Sequence, residues 1–134
     1  MNSNPIQFLR NVLWLDALTC LSTGAASLAF GSLLAGPLGL PLGLLQGSGA
    51  VLLLVAAFIA FAAKNTPQLR WPVWGVVIGN AAWVLESILL LVGDSVQPTT
   101  LGTVYVIAQA VIVAVIAELE FAGLRRSARS PVLA

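Results

Sequence analysis

Apolar residues in this chain do not alternate with polar ones at the two-residue period of a strand; they run in long blocks broken by Pro, Gly or charge. A hydrocarbon core of about 30 Å, crossed at 1.5 Å per residue, needs roughly 20 predominantly apolar residues. Four blocks meet that length, from about Phe8 to Leu34, Leu42 to Ala63, Trp71 to Val92 and Thr100 to Phe121. Gly36-Pro37 with Gly39 to Pro41, then Lys64 to Pro67, then Gly93-Asp94 with Pro98 punctuate the connectors. Connectors this short make consecutive helices antiparallel neighbours. The expected fold is all-α: an integral membrane four-helix up-down bundle over residues 1–123, followed by a flexible basic cytoplasmic tail over 124–134. Gly43, Gly47 and Gly49 make the start of the second span the least regular stretch.

Composition agrees with a lipid environment: 59% of the 134 residues are apolar and 8% charged, against about half and a quarter in a soluble domain. The position of the charge adds an orientation. Arg10 precedes the first span, Lys64 and Arg70 bracket the second connector, and Arg125, Arg126 and Arg129 follow the fourth span. The other two connectors carry only Asp94. Cations are retained on the cytoplasmic side, so both termini are expected there. A cleaved signal peptide is disfavoured, because the first apolar block exceeds the usual 7 to 15 residues and contains Asp16. The Ala17 to Cys20 stretch makes a poor lipoprotein box, since Thr19 precedes the cysteine.

A net charge of +1 leaves no electrostatic footprint for nucleic acid. With no His and one Cys, the chain alone builds no His-based zinc site, Ser-His-Asp triad or internal disulfide. No catalysis, cofactor or metal is expected; the expected partners are the lipid bilayer and a second copy or a larger membrane complex.

Polar residues within the spans carry what chemistry there is. A charge at the bilayer centre costs about 2.5–3.5 kcal/mol on insertion scales, so such groups face the bundle interior or water. Counting from Phe8 and Trp71, Asp16 lies roughly 12 Å deep, Asn80 roughly 14 Å and Glu86 roughly 22 Å. Gln109, counted from the opposite edge, comes level with Asp16 and Asn80. Asp16, Cys20, Thr23, Ser27 and Gly31 fall along one stripe of the first helix at 100° per residue. Two polar layers are expected about 10 Å apart: an inner one of Asp16, Asn80 and Gln109, and an outer one of Glu86, Thr23 and Ser48 near Gln46. They serve either as interhelical hydrogen bonds, each worth about 0.6 kcal/mol, or as a buried ligand or proton site. The candidates for such a site are Asp16, Thr23, Ser48, Asn80, Glu86 and Gln109.

Gly75, Gly79, Ala82 and Glu86 share a face of the third helix, and Gly102, Tyr105 and Gln109 one of the fourth; Gly75, Gly79 and Gly102 are the expected points of close helix packing. Trp71 and Trp74 suit the interface; Trp14 and Trp83, each just before an intramembrane acid, either pack beside it or serve as lipid-facing bulk, with bulk the favoured role. Cys20 is expected to be an unreactive filler. Glu118 and Glu120, close to Arg125 and Arg126, are expected on solvated surface.

Asn11 to Asp16 echoes Asn80 to Glu86, with the acid one place later, as in parallel transporter repeats. Leu13-Trp14-Leu15-Asp16, the Gly39-Leu40-Pro41 turn, Asn80 with Trp83 and Glu86-Ser87, and Ala117-Glu118-Leu119 resemble a family of small four-span bacterial inner-membrane proteins without an assigned activity. That resemblance implies a bacterial cytoplasmic membrane. Small multidrug exporters are also four-span chains with a buried Glu, but theirs lies in the first helix, where this chain has Asp16. The expected function is a non-catalytic accessory, assembly or lipid-binding module; the alternative is a small-solute or proton-coupled transporter using Asp16 and Glu86.

Overall fold

The computed structural model describes residues 4–128 as four helices, α1 Pro5–Leu38, α2 Leu42–Lys64, α3 Trp71–Val92 and α4 Thr100–Ala128. The helices run up and down, with α1 against α2 and α4, α3 against α4, and α2 only lightly against α3. Each is long and apolar enough to cross a membrane. Leu33, Leu54 and Val92, at 70%, 74% and 72% exposure, belong to an outward-facing apolar surface that lipid, not water, accommodates.

Two helices are longer than their apolar blocks. Asn4 caps α1 by accepting a hydrogen bond from the Ile6 N–H at 2.9 Å, and Pro5 occupies the first turn, where its missing donor costs nothing. At the other end Gly39 takes a left-handed φ of 65°. The Gly39 and Leu40 amides then donate back to the carbonyls of Gly36 and Ala35, the double bond of a Schellman stop. The helix therefore runs through Pro37 into the expected connector. α4 continues two turns past Phe121 to Ala128, because Gly123, Leu124 and Ser127 are buried against the bundle. Leu124 to Ala128, assigned above to the flexible tail, are thus helical, and residues 129–134, Arg129 among them, lie outside the described residues.

Both ends of the bundle are tied. At one, Arg70 donates to the Ser127 Oγ at 3.1 Å and to the Leu124 carbonyl at 2.9 Å, a carbonyl that also accepts from the Ser127 hydroxyl at 3.0 Å near the end of α4. At the other, Thr99 donates through its amide to Leu38 and through its hydroxyl to Pro37, while accepting from the Gly102 amide. Gly102 lies directly on the Leu38 carbonyl, with no room for a Cβ.

The closest seam is α1–α2. A Cβ on Gly24 would stand 2.8 Å from the Gly49 carbonyl oxygen, and one on Gly49 would stand 2.9 Å from the Gly24 oxygen. This backbone-on-backbone crossing falls in the stretch expected to be least regular. The stretch is helical throughout, and Gly49 is what lets the helices meet.

Candidate functional site

The bundle interior is mostly apolar, with Leu9, Leu13, Ile59, Val73 and Leu124 forming the core toward the Arg70 end. Set into it is a polar cluster drawn from three helices. Asn80 on α3 donates its side-chain amide both to Asp16 Oδ2 on α1, at 2.8 Å, and to Glu120 Oε1 on α4, at 2.9 Å. The Cys20 thiol, one turn along α1, lies 3.6 Å from Asp16 Oδ1. Asp16, Asn80 and Glu120 are 2%, 6% and 0% exposed. Glu120 Oε2 is buried without a hydrogen-bond partner among the described residues.

Two of the expected inner-layer residues meet, and two findings revise the rest. Asp16 and Asn80 do meet, by a direct hydrogen bond. Gln109 does not join them: its carbonyl accepts from the Trp83 indole at 2.6 Å and its amide donates to Ser87 Oγ at 3.0 Å, nearer the opposite end. Glu120, expected on solvated surface, takes the third place. Its helical face carries Ile116, Gly123, Leu124 and Ser127, all buried, so the i, i+3, i+4 spacing marks its side as inward. Glu118, two residues earlier, is exposed as expected.

Beside the cluster lies a cavity of about 340 Å³ reached by all four helices. Asp16, Cys20, Thr23, Asn80 and Gln109 supply its polar surface, while Leu52, Val55, Phe58, Val76 and Trp83 supply apolar walls. Glu120 does not line it; it sits behind Asp16 and Asn80. The cavity's exposed lining residues lie mostly on the two helices of the thin α2–α3 seam, Val51 and Leu54 on α2 and Gly75 and Gly79 on α3, with Ile112 on α4. Gly75 faces the Phe58 ring, whose nearest atom would lie 3.2 Å from an added Cβ, but nothing lies within 4 Å of a Cβ on Gly79. Gly79 therefore borders the cleft with open space at its Cβ position.

A second cavity, of about 180 Å³, gathers most of the expected outer layer: Thr23, Ser48 and Glu86 line it with Ser87, Tyr105 and Gln109. Gln46 is exposed and does not line it. Glu86 reaches this cavity from an exposed position, so the two acids of the sequence echo occupy unlike surroundings. Thr23, Leu52, Trp83 and Gln109 line both cavities, and the Trp83–Gln109 hydrogen bond stands between them. Trp83 is thus a half-buried donor in a network, in place of the expected lipid-facing bulk. Trp14, Trp71 and Trp74 are exposed.

The chain matches no protein-family model, no curated protein and no solved structure. Fold and surface define a class, a multi-pass four-helix membrane protein, and the family resemblance carried by short motifs identifies no family.

Proposed function

We propose that this chain is a non-catalytic membrane module that binds an amphiphilic molecule in the cleft along the α2–α3 seam, as a lipid-binding or accessory component of the bacterial cytoplasmic membrane. One observation carries this: an interior cavity with apolar walls and a polar floor, bordered by the exposed glycines of the thinnest seam. Its volume of about 340 Å³ lies within the ~300–1,000 Å³ of small-molecule sites. The apolar walls suit a hydrocarbon body, and the floor supplies hydrogen-bonding groups for a polar end.

Gly79→Leu tests the idea, because the space at Gly79 lets a larger side chain fill the cleft without displacing a neighbour. Native mass spectrometry of wild type from its own membranes is expected to release a bound amphiphile that the equally stable Gly79→Leu variant lacks. The same small molecule on both proteins, or none on either, contradicts it.

Both termini are assigned to the cytoplasm. Arg10, Lys64, Arg70, Arg125 and Arg126 all fall at one end of the up-down bundle, with Asp94 at the other, in the asymmetry that retains cationic ends inside. Cysteines placed at Gln68 and Ser95 are expected to react with an impermeant thiol reagent from opposite sides, Ser95 from outside.

A second reading, a small-solute or proton-coupled carrier, is favoured by the two cavities that share a wall at Trp83 and Gln109. Asp16 lines one and Glu86 the other. A carrier requires Asp16→Asn and Glu86→Gln each to abolish flux into proteoliposomes while leaving the fold intact; a binding module has no flux to lose.

A further inference from the structure

The Asp16–Asn80–Glu120 cluster has an unusual donor balance. Two carboxyl groups accept from a single amide nitrogen, at 2.8 and 2.9 Å, so they occupy one small volume. The donors that reach them, the Asn80 amide and the Cys20 thiol, are both neutral. Glu120 Oε2 has no donor among the described residues although Glu120 is fully buried. Two like charges this close in an apolar interior do not persist together, and carboxyl pairs in such positions hold one proton between them. A proton on Glu120 would turn the orphaned oxygen from an unmatched acceptor into a donor beside the Asp16 carboxylate that shares its Asn80 partner.

The two carboxyls also differ in access. Asp16 forms part of the cleft floor, whereas Glu120 lies behind it, off the cavity surface. Phe58 and Trp83 bring aromatic rings to the cleft wall, and aromatic faces attract an organic cation. We propose that Asp16 and Glu120 share one proton, and that the resulting single negative charge, presented to the cleft by Asp16, selects a molecule bearing one ammonium group on an apolar body. In the empty cleft the charge is spread over both carboxyls. When the ammonium enters, the proton settles on Glu120 and the charge concentrates on Asp16. One positive charge meets one negative charge, and no proton leaves the protein. The ammonium can belong to a free amine or to an aminolipid headgroup, since both present the same chemistry.

This proposal rests on the cleft being a binding site and names its ligand class. The test is calorimetric titration of the full-length protein in detergent with benzylammonium, and with benzyl alcohol as the uncharged control, in two buffers of different ionisation enthalpy. Wild type is expected to bind one benzylammonium with no net proton exchanged. Glu120→Gln, which imitates the protonated acid, is expected to bind within about threefold of wild type. Asp16→Asn is expected to weaken binding by about 30-fold or more, the loss typical of removing one partner of a desolvated charge pair. Benzyl alcohol should not distinguish the variants. Infrared difference spectra are expected to show a deuterium-sensitive protonated-carboxyl stretch in wild type that Glu120→Gln lacks.

Equal loss in both amide variants, release of a proton for each amine bound, or a carboxyl stretch unchanged in Glu120→Gln would overturn the proposal. In nanodiscs, competition by phosphatidylethanolamine but not phosphatidylglycerol identifies the aminolipid as source; binding indifferent to both identifies a free amine. If benzylammonium does not bind but a Gly79→Leu-sensitive amphiphile still copurifies, this assignment fails and the cleft stands. If neither occurs, both fall.

Discussion

The α1–α2 and α2–α3 seams are built from the same alphabet and come out opposite. Along α1–α2, Gly24 and Gly49 set backbone on backbone, and the helices close. Along α2–α3, Gly75 meets only the edge of the Phe58 ring and Gly79 meets nothing, so the helices stay apart and a cavity remains. At these two seams, glycine brings the neighbouring helix close where another glycine stands opposite, and leaves a gap where the Phe58 ring does. In lipid no hydrophobic force compels that gap to shut, because hydrocarbon tails solvate apolar side chains as well as another helix does.

The contrast is open to direct attack by substitution. Gly49→Leu is expected to have the largest effect, since even a Cβ there collides with the Gly24 carbonyl and with Ser27; a loss of about 3 kcal/mol is expected for this overpacking, read by chemical denaturation in detergent. Asn80→Leu should follow at about 2 kcal/mol, because it strips both carboxyls of their shared donor. Trp83→Phe removes the donor to Gln109 on the wall between the cavities and should cost about 0.6 kcal/mol, typical of an interhelical hydrogen bond in a membrane. Gly79→Leu is expected to change stability by less than about 0.5 kcal/mol, despite being chemically the same substitution as the first. Equal losses for Gly49→Leu and Gly79→Leu would erase the distinction between the seams.

The sequence made the four helices legible because a span announces itself by length and apolarity, and α3 begins and ends where its block does. The ends of α1 and α4 were not legible in the same way. Gly39 stops α1 through a backbone conformation that only the fold reveals, and α4 runs on because Leu124 and Ser127 dock beneath Arg70. Asp16 and Asn80 were found through depth alone, a one-dimensional measure that suffices for two residues on facing helices. The same measure misplaced Gln109: α4 begins at Thr100 as expected, but the Gln109 side chain is engaged by Trp83 and Ser87, which depth along the helix does not reveal. Glu120 was misread because proximity in sequence to Arg125 and Arg126 suggested solvated surface; its i+3 and i+4 neighbours Gly123 and Leu124 held the better signal. The glycine pattern on α3 was visible, but its meaning depended on Phe58 across the seam, which no single-helix pattern contains.

The open α2–α3 seam is the claim on which the rest depends. A spin label on Gly79→Cys, in a Cys20→Ala background reconstituted into bilayers, measures it through relaxation by membrane-soluble oxygen and by a water-soluble nickel chelate. An open seam predicts strong relaxation by oxygen and weak relaxation by nickel. A label shielded from both reagents would mean that α2 and α3 are packed shut at Gly79, contradicting the account.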